Sequence, residues 1–525
     1  PFDSININTV ERIEIISGGG AVVYGSGTSG GVINIITKNG FSSDKKISGT
    51  IGTEIGSYNS YTYKGNVIGQ VTDNLQIGLD YLHGNSDNYR EGSEYDKDNY
   101  GISLNYKIDN NQKINFKYTK YTNDYSSPAV LTQAQLDKDR DGASTSETDY
   151  QADKDSYSLV YDYNMKDNLK FNLLSSYYNS VSESSTSTSI TNFDESKIAF
   201  KPKLNYEYSK GTLTAGYDYT FNNIVRDTKL GNGAFYDISK MTNSVFLNNR
   251  YDMNKLELIT GYRYEKSDYE MKDQKYGTKT PSDMDKTSSN SAYSMGLNYL
   301  YSDSGKLYGK FESGYTFPDP RQYINLTNGE GELNNLQDEE FMTYEIGFQD
   351  YIINSLVKGA VYYTEKENEI RKEGSSLNAK FYNIDASKRI GGELSISQNI
   401  KKLELSESIA YIDAKVTEGT YEGKRIPYVS KITSSINATY TFNEKVDLSG
   451  NITYRDKYYV DASNLSGLVN DKFVTDIKVN YSIDSNWKTY AGINNLFNAD
   501  YYNTINYSSG AYTYDPASER NYFIG

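Results

Sequence analysis

The sequence predicts an all-β protein, an antiparallel transmembrane β-barrel of about 22 strands. Three observations carry this. Strand-length runs alternate between apolar and polar residues. Their connections alternate between short turns and long polar loops. The composition is polar on average yet rich in tyrosine: mean hydropathy is −0.71, with 54 Tyr against one Trp.

The alternation starts after residue 46 and continues to the end of the chain. In 473–481, Phe473, Thr475, Ile477, Val479 and Tyr481 fall on one face, and Val474, Asp476, Lys478 and Asn480 on the other. Ile114, Phe116 and Tyr118 alternate with Asn115, Lys117 and Thr119 in the same way. So do Tyr157, Leu159, Tyr161 and Tyr163 with Ser158, Val160, Asp162 and Asn164. A period of two with a polar second face suits lipid outside and water inside. A soluble sandwich shares the period but needs far fewer repeats.

Short turns of Asp, Asn, Ser, Lys and Gly fall near 73–74, 109–112, 167–168, 209–211, 252–255, 302–305, 350–354, 400–402, 443–445 and 484–486. Between them the chain is expected to leave the membrane in longer polar loops, near 122–152, 179–196, 224–240, 266–290, 316–338 and 498–519. Short turns on one side and long loops on the other are the asymmetry of outer-membrane barrels. Tags at Ser144 or Asp283 should therefore be reachable from outside cells, and tags at Asn110 or Asp303 hidden.

Composition narrows the function. No apolar run approaches the ~18 residues of a spanning helix. Cysteine is absent, which excludes disulfides and thiolate metal sites. A net charge of −15 argues against a nucleic-acid partner. The single histidine, His83, falls in an expected loop at 82–91, and nothing resembles a nucleophile elbow, so an enzyme is disfavoured.

The N-terminal stretch 10–38, VERIEIISGGGAVVYGSGTSGGVINIITK, reads as two β-rich runs, 10–16 and 32–37, around a glycine-dense turn. Its GSGTSG at 25–30 fits a dinucleotide-binding pattern, but a strand-like run follows where a helix should open. The stretch resembles the second half of the plug domain of TonB-dependent outer-membrane receptors, whose phrase is close to "ERIEV…RGP…YGSGA…GGVINI…TK". Further motifs follow in the family's order: GYTFPDPR at 314–321, GELNNLQDEEFMTYEIGF at 331–348, FYNIDASKRIGGE at 381–393, GKRIPYV at 423–429, GINNLFN at 492–498 and RNYFIG at 520–525. The departures are Ser17-Gly18-Gly19 in place of Arg-Gly-Pro and Asn335 in place of a proline.

The resemblance implies the C-terminal part of a truncated plug over 1–42, lying in the lumen of a barrel over 43–525 whose last strand is incomplete. It implies a bacterial outer-membrane receptor for active uptake of a scarce ligand, a ferric siderophore before haem or cobalamin, with a non-energised porin as the contrasting class. Implied partners are the TonB–ExbB–ExbD complex, the ligand and outer-membrane lipid. Tyr24, Phe317, Arg321 and Tyr323 would offer the ligand aromatic faces and a cation. Arg12 and Lys38 of the plug would pair with Glu345 and Glu393 of the barrel. No cofactor is implied. From the residues alone, Asp137, Asp139 and Asp141 in DKDRDG match the first half of a calcium loop. Thr148 holds its twelfth position, and a solvated acidic loop is the alternative.

Overall fold

The computed structural model describes residues 5–16, 20–37, 46–143, 146–229, 233–281, 283–328, 330–374, 378–508 and 510–525. Its dominant feature is a closed antiparallel barrel of 22 strands. The strand Ile47–Gly56 pairs with Ser60–Gln70 on one side. On the other it meets Asn521–Ile524, through Phe523–Gly56 and Ile524–Ile55. Closure leaves no unpaired edge, the condition for crossing lipid with strands.

Side-chain alternation sets the two faces. In Lys472–Ser482, Phe473, Val479 and Tyr481 are exposed on the outer wall, while Val474, of opposite parity, is buried. Tyrosines on the outer wall meet across neighbouring strands: Tyr118 and Tyr157 have ring centroids 4.8 Å apart, and Tyr81 and Tyr100 lie at 5.0 Å. Rows of this kind place amphipathic rings at the lipid–water boundary.

All ten expected short turns connect consecutive barrel strands. The long loops are shorter than expected. Leu169–Thr186 pairs with Ser189–Tyr208 down to Thr186–Ser189, leaving no loop over 179–196. Phe235–Met253, Leu256–Lys275 and Met284–Leu300 likewise extend into segments expected to be irregular. Spanning takes only about 9–11 residues, so strands of 18 to 20 stand well clear of the membrane. Polar side chains on both faces, such as Ser182 and Glu183, do not end a ladder held by backbone groups.

The N-terminal segment forms a small sheet and one helical turn. Val10–Ile16 and Val32–Thr37 pair antiparallel, within the expected bounds. Between them the glycine-dense turn contains a helix, Ala21–Tyr24, which the sequence reading did not anticipate. A strand follows GSGTSG, so no dinucleotide fold is present there. Residues 17–19, Lys38 and Ser144 lie outside the described residues.

Candidate functional site: the plug helix and the vestibule above it

The helix Ala21–Tyr24 presses against four neighbouring barrel strands, Phe235–Met253, Leu256–Lys275, Met284–Leu300 and Lys306–Thr316. Two glycines of the wall make room for it. A Cβ at Gly314 would lie 2.7 Å from the Ala21 Cβ, and one at Gly261 2.8 Å from a Val22 methyl carbon. Both separations are shorter than packed carbons allow. Ala21 and Val22 thereby enter a buried cluster with Tyr315, Phe317, Tyr323 and Phe341.

A barrel carboxylate anchors the start of this helix. Glu312 accepts the backbone N–H groups of Gly20 at 2.5 Å and Ala21 at 2.7 Å. It also pairs with Lys310 at 2.9 Å, and its side chain is almost fully buried. These are donors that a helix start leaves without intrahelical partners. Just beyond the helix, Gly25 sits over a buried ion-pair group on the wall. There Arg263 reaches Asp218 at 2.9 Å and Glu265 at 2.8 Å and also donates to Ser244. Three partners are what a buried guanidinium needs to offset its desolvation. Further out, the Asn6 amide donates to Asp80 at 2.9 Å and the Lys117 ammonium to Thr9 at 3.4 Å.

Of the expected plug–barrel charge pairs, those of Lys38 lie outside the described residues. Arg12 forms its ion pairs within the N-terminal segment, with Glu14 at 2.8 Å and Glu11 at 3.4 Å. Glu345 accepts the Tyr308 hydroxyl at 2.7 Å, and Glu393 lies exposed on Lys380–Ile400. Among the described residues, Asp80 holds Asn6, and the barrel carboxylate that holds the plug helix is Glu312. Sequence reasoning missed it because its partners are backbone N–H groups, which carry no side-chain signature.

On the long-loop side, a cavity of about 990 Å³ opens between the barrel wall and the loops. Its wall carries Tyr89, Tyr95, Tyr121, Tyr125, Tyr150 and Tyr178. It also carries four cations, Arg90, Lys97, Lys154 and Arg321, against two acids, Glu195 and Asp515. The local balance is positive although the whole chain is strongly acidic. Tyr125 stacks on Tyr150 with centroids 4.7 Å apart, and the Lys154 ammonium sits 5.4 Å from the Tyr121 ring. Arg90 is buried and pairs with Asp515 at 3.3 Å, tying the loop at 87–94 to the hairpin of Tyr502–Ser508 and Ala511–Pro516. Burial, aided by Glu519, pushes the Tyr89 hydroxyl up to about 12, so it remains a neutral donor at physiological pH.

The four expected ligand residues separate. Arg321 lines the cavity, half exposed and held by Asp319 at 2.9 Å. Tyr24 is exposed on the plug helix and is not part of the cavity wall. Phe317 and Tyr323 are both buried, with Tyr323 fully enclosed and its ring edge-on to Tyr269 at 5.5 Å. Their sequence position beside an outward-going strand was read correctly. Their direction was not, because the 3-10 turn Pro320–Tyr323 folds the segment back over the helix. The Phe317 N–H donates to Ser26 Oγ at 2.8 Å, and the Gly27 N–H to the Tyr315 carbonyl at 3.0 Å. These residues clamp the loop to the plug helix.

Asp137 lies in the helix Gln133–Lys138 and accepts the Gln133 amide at 2.7 Å. Asp139 caps that helix, and its contact with Asp141 holds the latter's carboxyl above the usual carboxylate range, as does burial. The three do not converge on one point; among the described residues only His83, Asp96 and Asp98 form a convergent set of three potential metal ligands.

A family model described as TonB dependent receptor-like, beta-barrel, matches residues 24–496. The chain belongs to this family. The probable TonB-dependent siderophore receptor PiuA of Acinetobacter baumannii is 24% identical over 234 residues, which is 40% of this chain and 30% of PiuA. The matched stretch thus spans under a third of that relative. The vitamin B12 transporter BtuB of Photobacterium profundum is 23% identical over 95% of this chain and 78% of its own. Among solved structures, the ferric yersiniabactin uptake receptor FyuA from Yersinia pestis superposes with a TM-score of 0.86. It is 15% identical, and the match covers 98% of this chain and 84% of FyuA. This chain is thus a 22-stranded outer-membrane β-barrel of that family.

Proposed function

We propose that this receptor takes up a ferric siderophore across the outer membrane, with residues 1–42 as the C-terminal part of the plug and 43–525 as the barrel. The observation that carries the reading is the tyrosine-walled, locally cationic vestibule on the long-loop side of the barrel. Aromatic faces stack on aromatic chelating groups, and lysine and arginine offset the negative charge of a ferric chelate. Relatives named as siderophore receptors, PiuA and the catecholate receptor Fiu of Escherichia coli, support the same reading. The outer membrane holds no ATP, so TonB with ExbB and ExbD would supply the energy.

A second reading, cobalamin uptake, draws on the BtuB match, which runs along 95% of the chain. Fluorescence titration of the purified receptor with a ferric catecholate and with cyanocobalamin separates the two. The siderophore reading expects tight saturable binding of the ferric catecholate, weakened at least tenfold by Arg321→Ala. Binding of cyanocobalamin with no response to ferric chelates would replace it by the second.

A further inference from the structure

The single histidine of the chain is not in a loop. His83 lies within the strand Leu75–Ser86, and its cross-strand partner on Tyr95–Lys107 is Asp98. Asp96 follows two residues further out, opposite Asn85. On these strands the exposed side chains Leu79, Tyr81, Tyr100 and Ile102 mark the lipid face. By the period of two, His83, Asp96 and Asp98 share that face, on the long-loop side of Tyr81. One residue pair along a strand is about 6.6 Å, which sets the cluster just beyond the Tyr81–Tyr100 pair on the long-loop side.

We propose that His83, Asp96 and Asp98 form a binding site for a divalent transition-metal ion on the outer wall of the barrel. One ligand atom from each lies within 4.8 Å of the others. The imidazole Nδ1 is 3.2 Å from Asp98 Oδ1 and 3.8 Å from Asp96 Oδ1. A direct charge-assisted N–H···O bond would be about 2.7–2.9 Å. Two ligands each about 2.0–2.2 Å from a tetrahedral ion stand roughly 3.3–3.6 Å apart, so the spacing matches the edges of a coordination shell better than a closed ion pair.

The surroundings orient the ligands. The Tyr81 hydroxyl donates to Asp98 at 2.9 Å, and the Asn85 amide to the second oxygen of Asp96 at 3.1 Å. The His83 ring is stacked on Tyr63, with planes 12° apart, and flanked by Tyr61. Outer-shell donors and packing of this kind fix ligand direction in metal sites. The field also favours a cation. Asp124 stands opposite Asp96 on the next strand, and Lys120 of that strand is engaged by Asp153 at 3.1 Å. An imidazole nitrogen with two carboxylates selects a borderline ion such as Zn²⁺ over Ca²⁺, which takes oxygen ligands. Three protein ligands leave a fourth position for water or an anionic oxygen.

The test is calorimetric titration of the detergent-solubilised full chain, purified without a histidine tag, with ZnCl₂ and separately with CaCl₂. The expected result is one Zn²⁺ per chain, weakened at least tenfold by His83→Ala and by Asp98→Asn, with Ca²⁺ binding far more weakly. Heat-modifiable gel mobility establishes that each variant keeps its barrel. No Zn²⁺ uptake by the wild type would mean that His83 and Asp98 are an ion pair only, and would overturn the proposal. Equal Zn²⁺ affinity in folded His83→Ala would overturn it too, by placing the ion elsewhere, and Ca²⁺ binding as tight as Zn²⁺ would refute the ion class.

Discussion

Removing the Glu312 carboxylate should loosen the plug helix from the wall while leaving the barrel intact. In Glu312→Ala the N–H groups of Gly20 and Ala21 lose their acceptor, and Lys310 loses one of its partners. A buried donor left without an acceptor costs about 1–3 kcal/mol. Ala21 is fully buried but Gly20 is half-buried, so water recovers part of the second penalty. The expected loss is about 2–4 kcal/mol of docking free energy, or roughly 30- to 700-fold in the opening equilibrium at 1.4 kcal/mol per decade. Glu312→Gln keeps an acceptor oxygen but no charge, and should fall between the wild type and alanine. Hydrogen exchange read by mass spectrometry on a peptide covering 20–25 reports this opening directly. Peptides from the hairpin of Leu169–Thr186 and Ser189–Tyr208 serve as the control and should not change. If the 20–25 peptide of a folded Glu312→Ala barrel stays as protected as in the wild type, Glu312 does not hold the helix.

Three further outcomes follow from the same geometry. Gly25→Ala should cost about 1–3 kcal/mol of local stability, because Gly25 has φ 82° and ψ −150° and a Cβ there would meet Glu265 Oε2 at 2.7 Å; wild-type exclusion of large antibiotics by cells carrying this variant would count against the contact. Burial raises the Asp461 carboxyl, but donation from Ser463, Ser466 and the Leu465 N–H outweighs it and leaves the group below its ordinary value. That contribution to loop stability is complete above the unfolded value near ~3.9 and fades as pH falls through the lowered folded one, so exchange at 461–466 should rise on acidification below about pH 4 in the wild type and not in Asp461→Asn. An epitope inserted at Asp283 should be labelled on intact cells and epitopes at Asn110 or Asp303 should not; labelling at Asn110 would invert the orientation.

What could be read from the sequence was whatever repeats or punctuates. Alternation located the strands and the Asp/Asn/Ser/Lys/Gly clusters located all ten short turns, since both signals are local. Strand ends on the long-loop side were misjudged because Ser182 to Thr186 look like loop residues by polarity, and polarity does not break a backbone ladder. Phe317 and Tyr323 were read as ligand contacts because aromatics beside a rim are ambiguous between binding and packing. Their burial depends on a 3-10 turn capped by Asp319, and nothing in GYTFPDPR reveals which way that turn faces. Arg321, a long charged side chain in that turn, remains half exposed and lines the vestibule. The His83 site was hidden by register. Residues fifteen apart in the chain, His83 and Asp98, become neighbours only once the hairpin pairing is known.

The segment from Tyr315 to Tyr323 joins the two parts of the site. At one end the Tyr315 carbonyl and the Phe317 N–H hold Gly27 and Ser26 of the plug. At the other, Arg321 faces the vestibule. Between them Phe317 and Tyr323 are packed in the cluster that also encloses Ala21 and Val22. Close packing makes such a segment move as discrete arrangements rather than bend gradually. A bound ligand can bias the plug helix only by contacting Arg321 differently in two arrangements of this segment. Contact with Tyr89 or Lys154 alone adds affinity without that bias, so affinity and plug release are separable properties of the vestibule. The physical test of coupling is whether ligand changes exchange at 20–25 in the wild type but not in Arg321→Ala, at ligand concentrations that saturate both. Equal responses in the two would place the coupling in other residues of the wall.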